Sequence, residues 1–78
     1  FPVPSSKTLF IDVNLHQPTK AVIYVFDAVG RLIEKNNQLH FEMGRNQLDF
    51  DIGSYHPGIY ILHLHTPTLD VRKSFTVN

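Results

Sequence analysis

Apolar and polar side chains alternate along most of this 78-residue chain, and no window of about eleven residues or more carries a helical stripe. Residues 7–15 place Leu9, Ile11, Val13 and Leu15 on one face against Phe10, Asp12 and Asn14 on the other, as in a half-buried strand. Residues 20–27, KAVIYVFD, are apolar on both faces and rich in β-branched and aromatic side chains, which suits the middle of a sheet. Residues 31–35 then return antiparallel after a turn in which Asp27 bonds its own backbone and Gly30 supplies a positive φ. After Asn36-Asn37, Leu39, Phe41 and Met43 answer Leu48, Phe50 and Ile52 across Gly44-Arg45-Asn46, the layout of a three-residue hairpin. A corner at residues 53–58 leads to GIYILHLH, and a turn at 66–70 leads to a last strand with Val71, Lys73, Phe75 and Val77 on one side. The expectation is an all-β, seven-stranded antiparallel domain folded as a two-sheet sandwich.

Composition narrows the function classes. A domain near this length buries only roughly 60% of its unfolded surface, and the chain has no cysteine to brace it by a disulfide or a thiolate metal site. Seven Lys and Arg balance seven Asp and Glu, which argues against nucleic acid or an anionic membrane as partner. No apolar run approaches the ~20 residues of a membrane span. The opening FPVP has neither an initiator Met nor a charged and then apolar leader. The chain is therefore expected to be a single domain, residues 1–78, cut from a longer protein.

Candidate chemistry is sparse. His63 and His65 are two apart on an expected strand, so their rings share a face at a spacing that permits joint metal coordination. A catalytic site needs a third protein ligand, which His40 or His56 could supply if the topology brings either near. Because Tyr60, Leu62 and Leu64 form the apolar alternate face, the plainer reading is of two partly exposed outer-face histidines, and no metal or other cofactor is expected. Asp49 and Asp51 read as a solvated face. The four serines sit in no nucleophile elbow, and the glycines at 30, 44, 53 and 58 are too scattered to form a phosphate loop. Tyr60, directly after Pro57-Gly58-Ile59, reads as an anchor whose ring fills the core while its hydroxyl caps nearby backbone.

Five segments taken together resemble one family. An opening P-x-P (Pro2, Pro4), VFDAVGRLI at 25–33, GRNQLDFDI at 44–52, HPGIYILHL at 56–64 and RKSFTV at 72–77 follow the order and spacing of the C-terminal sorting domain of type IX secretion cargo. The resemblance implies an immunoglobulin-like sandwich at the end of proteins exported by Gram-negative bacteria. It implies a signal and substrate rather than an enzyme. Its partners would be an outer-membrane secretion or shuttle protein and a surface sortase that removes the domain, with a route through the periplasm to the cell surface or beyond. The positions carried over are Gly30, Gly44, Asn46, Leu48, Gly58 and Tyr60 as motif residues, with Lys73, Phe75, Val77 and Asn78 as recognition residues. Two departures stand out: Val3 replaces an Asn common between the first prolines, and Asn78 stands where a Lys is common.

Two other readings stay open on sequence alone. One is an uncleaved docking domain on a surface component of the same machinery. The other is a structural or adhesive immunoglobulin-like domain of an extracellular protein, which the same alternation supports. Either way, an edge strand near residue 77 offers unpaired backbone groups to another chain, including a second copy.

Overall fold

The computed structural model describes residues 8–78, so Pro2 and Pro4 lie outside the described residues. Six strands follow in order: β1 (Thr8–Leu15), β2 (Thr19–Asp27), β3 (Leu32–Phe41), β4 (Gly44–Asp51), β5 (Gly58–His65) and β6 (Asp70–Val77). β1 and β4 pair antiparallel in a two-stranded sheet, and the other four form an antiparallel sheet in the order β3-β2-β5-β6. The all-β expectation holds, and no helix occurs among the described residues.

The alternating residues meet in one core. Ile11, Val13 and Leu15 of β1 join Ala21, Ile23 and Val25 of β2, Tyr60, Leu62 and Leu64 of β5, and Phe75 and Val77 of β6 in a single buried cluster. Both sheets thus contribute to one apolar interior. Each fully buried aliphatic side chain contributes about 1.5–3 kcal/mol relative to exposure. β2, apolar on both faces in sequence, lies inside its sheet between β3 and β5.

The count is six strands rather than seven because Asn36-Asn37 does not break the chain. Between the pairs Ala21↔Leu39 and Ile23↔Asn36, β2 advances two residues while β3 advances three. The extra residue is a β-bulge, and the Asn36 side chain accepts the Gln38 N–H at 3.0 Å within it. Turn-forming chemistry is absorbed inside a continuous strand, so the two segments expected on either side of Asn36-Asn37 are one.

The hairpin expected around Gly44-Arg45-Asn46 is also replaced. β3 ends on β2, whereas β4 pairs with β1, so the chain changes sheets between Phe41 and Gly44. Met43, placed on an apolar face by its alternation, is 68% exposed at this crossing. The Asn46 amide holds the crossing in place. Its Oδ1 accepts the Glu42 N–H at 3.0 Å, and its Nδ2 donates to the Glu42 and Gly44 carbonyls at 2.8 and 3.2 Å. Gly44 has φ +96°, and a β-carbon there would meet nothing within 4 Å, so glycine is required by backbone conformation rather than by space.

The β2–β3 turn follows its sequence closely. Asp27 Oδ1 accepts the N–H groups of Val29 and Arg31 at 3.0 and 2.9 Å, while Oδ2 accepts Arg31 Nε at 2.9 Å. The Gly30 N–H closes onto the Asp27 carbonyl at 3.0 Å, with Gly30 at φ +90°. These donors, led by the Arg31 backbone N–H, hold the Asp27 carboxyl below its ordinary value of 3.8.

Two outcomes are expected. Asn46→Asp keeps the acceptor for Glu42 but loses both donations to carbonyls, so chemical denaturation should show a loss of about 1–2 kcal/mol. The Asp27 contribution to stability is present above the unfolded carboxyl value of about 3.9 and is lost as pH falls through the lower folded value. Denaturation midpoints of the native chain and of Asp27→Asn should therefore differ at neutral pH, begin to approach each other below about pH 4, and converge only below the lowered folded value.

Candidate functional site

β6 is an edge strand by topology. It pairs with β5 along its whole length, from Gly58↔Val77 to His65↔Asp70, and no other strand of the described residues pairs on its outer side. Of the sequence-derived recognition residues, Phe75 and Val77 point inward and are buried, while Lys73 is exposed. Lys73 shares their inward parity, since it stands opposite the buried Leu62. A charge at an inward position of an edge strand is a device that discourages unwanted strand pairing. What β6 offers a partner is thus its backbone edge and the exposed Arg72, Lys73, Ser74 and Thr76, with the exposed Asn78 just beyond its end.

The corner before β5 is built on two tyrosines. Tyr60 is buried, its hydroxyl donates to the His56 carbonyl at 2.7 Å, and its ring stacks on Phe75 at 5.5 Å. The expected double role of Tyr60 is therefore present. Gly58 opens the strand at φ +154°, and Leu48 packs against the core from β4. Tyr55 was not legible as a core residue, because it sits in a turn whose residues carry no periodicity. Its ring meets Phe50 of the two-stranded sheet at 6.2 Å, and Tyr60 and Phe75 of the other sheet at 5.0 and 6.3 Å. Its hydroxyl donates to Glu34 Oε1 at 2.6 Å. Burial and the Glu34 carboxylate raise the Tyr55 hydroxyl well above the ordinary phenolic value.

On the outward face of the same sheet the two histidines do not stand alone. Leu62 and Leu64 are fully buried, which turns His63 and His65 outward as parity requires. Asp70, directly opposite His65 on β6, accepts from both rings through one oxygen: His63 Nε2 at 2.9 Å and His65 Nδ1 at 2.6 Å. These contacts, His65 first and His63 next, hold the Asp70 carboxyl below its ordinary value. The third member is thus Asp70 rather than His40 or His56. His40 is instead paired with Glu42 at 3.0 Å. A hairpin register that places residue 65 across from residue 70 would have identified Asp70, but loop length alone does not set that register.

Removing the Tyr60 hydroxyl isolates the corner bond from the ring packing. Tyr60→Phe should lower stability by about 1–2 kcal/mol in thermal or chemical denaturation, and Tyr60→Ala by about 3–5 kcal/mol.

Comparison with curated proteins and with solved structures finds no match. A family model described as the secretion system C-terminal sorting domain matches residues 1–78, the whole chain. The motifs quoted from the sequence and this match agree: the chain belongs to the family of C-terminal sorting domains that serve as signals for type IX secretion.

Proposed function

We propose that this domain is a non-catalytic signal that directs a cargo folded in the periplasm across the outer membrane and to attachment at the cell surface. In this reading its two sheets form an immunoglobulin-like sandwich attached to a longer exported protein. An outer-membrane component of the type IX system binds it, and a surface sortase then removes it. The observation that carries the reading is the family match over residues 1–78. The position of β6 supports a means of recognition. An edge strand with free backbone groups accepts an added strand from a receptor, and side chains flanking that edge supply selectivity. Lys73 and Asn78 serve as the side chains a receptor meets, while Phe75 and Val77 keep β6 seated so that its edge is presented in one register. The balanced net charge suits a protein receptor rather than nucleic acid or direct membrane insertion.

Deleting residues 71–78 from the parent protein should leave it in the periplasm, as read by surface labelling and cell fractionation. Normal surface delivery of that deletion would refute the proposal. Because the deletion also removes Phe75 and Val77 from the core, Lys73→Glu is the companion variant. It should reduce delivery while leaving the thermal midpoint of the isolated domain within a few degrees of the native value. Intact-mass measurement of surface-delivered parent protein tests the sortase step: a mass lacking the domain supports removal, and a retained domain overturns that step.

A further inference from the structure

We propose that the outward face of the β5–β6 hairpin binds one divalent transition cation of the zinc class through His63, His65 and Asp70. The site is separate from the export reading and does not depend on it. Its ligand atoms, one ring nitrogen from each histidine and a carboxylate oxygen, all lie within 4.8 Å of one another. Zinc bonds to nitrogen and oxygen run about 2.0–2.2 Å, which sets ligand atoms roughly 3.4 Å apart around a tetrahedral ion. Small rotations of the exposed His65 and Asp70 side chains bridge that difference. The donor set, two imidazoles and one carboxylate with no thiolate, fits zinc, copper(II) or nickel rather than calcium or magnesium, which take oxygen ligands.

The arrangement is built before any ion arrives. Strand pairing places His65 and Asp70 directly across from each other, and His63 follows on the same face one strand repeat away. The connecting turn is held by the buried Thr66. Its N–H and hydroxyl both donate to the Leu69 carbonyl, at 2.7 and 3.2 Å. Beside the cluster, Phe26, Gly30, Ile61 and Arg72 line a shallow depression that also reaches His63. The His63 side chain is only 19% exposed, against 50% for His65. Tyr24 of β2 packs on His63 at 5.9 Å and fixes the ring from the other strand.

Nε2 of His63 and Nδ1 of His65 both face the same Asp70 oxygen, at 2.9 and 2.6 Å, and an ionised carboxylate can only accept from them. Binding requires Nε2 of His63 and Nδ1 of His65 to present lone pairs to the ion, so the proton on each of these nitrogens must leave it, with Nδ1 of His63 and Nε2 of His65 carrying the ring protons in the bound form. Arg72 stands across from His63 and sets a repulsive charge beside the ion, while Asp70 supplies the compensating negative one. Three protein ligands leave a fourth position to water, the pattern of an open rather than a closed site. A bound ion ties the start of β6 to β5, stabilising the strand that the export reading places at the receptor.

Isothermal titration of the 78-residue chain with zinc chloride tests the proposal. One ion per chain is expected, with His65→Ala and Asp70→Asn each weakening binding more than tenfold and His40→Ala leaving it unchanged. Zinc at one hundred times its dissociation constant for the native chain should raise the thermal midpoint of that chain by about 11–22 °C and that of Asp70→Asn by at most about half as much. A measurement on the unsubstituted chain guards against variants that fail to fold: long-range proton–nitrogen spectra should show zinc moving the imidazole signals of His63 and His65 and not those of His16, His40 or His56. Absence of saturable binding at millimolar zinc, or binding that survives both substitutions, overturns the proposal.

Discussion

Ile23 faces Leu64 and Val25 faces Leu62 across the β2–β5 ladder, and these four side chains are the largest apolar groups withdrawn almost wholly from solvent. The pair joins the first half of the chain to the second, with β3 and β4 lying between them in sequence. No cysteine is available to hold the halves together. The ordering entropy of closing that long loop must be overcome by apolar burial alone. Once β2 and β5 are joined, β3 and β6 can add to their outer sides by short hairpins, and β1 with β4 can cover the face that carries Ile23, Val25, Leu62 and Leu64. A large-to-small change at any of these four positions would be felt throughout the domain, because both sheets meet there.

A two-stranded sheet cannot cover a four-stranded one, and the two uncovered flanks are handled differently. At the β3 flank, Glu34 and Asn36 occupy positions opposite the inward Val25 and Ile23, yet both are exposed. Two register shifts that lengthen β3 relative to β2 distort that edge, which makes it a poor template for another strand. At the β6 flank the ladder to β5 has no register shift, and protection comes from the inward-parity Lys73. An edge kept regular and marked by one charge is suited to selective strand addition, and that difference between the two flanks is why the export proposal places the receptor at β6.

Legibility in the sequence followed periodicity. β1, β4 and β5 alternate without interruption, and the inward sets Ile11, Val13 and Leu15 and Tyr60, Leu62 and Leu64 were readable directly. The turn at Asp27-Ala28-Val29-Gly30 was readable too, since its hydrogen bonds are made within five residues. Asn36-Asn37 misled because the same side-chain bonding that starts a turn also fits a bulge, and only pairing to β2 distinguishes the two. The segment around Gly44 misled because Asn46 bonds back to Glu42 whether the next strand stays in the sheet or leaves it. Tyr55 could not be found from the sequence, since its partners Glu34, Phe50 and Phe75 come from three different strands.

By itself the sequence determined the all-β class, the inward face of each regular strand, the Asp27 turn, the Tyr60 anchor and, through its ordered motifs, the sorting-domain family. Those features are set by side-chain parity and bonds between near neighbours, which do not depend on where distant segments lie. Only the tertiary structure decided which strands share a sheet and that Asp70 joins His63 and His65, while the edge position expected for the last strand is the one β6 takes. Each of these is a matter of partner and register. Backbone hydrogen bonds are chemically alike at every position, so the choice among partners falls to the packing of the whole core.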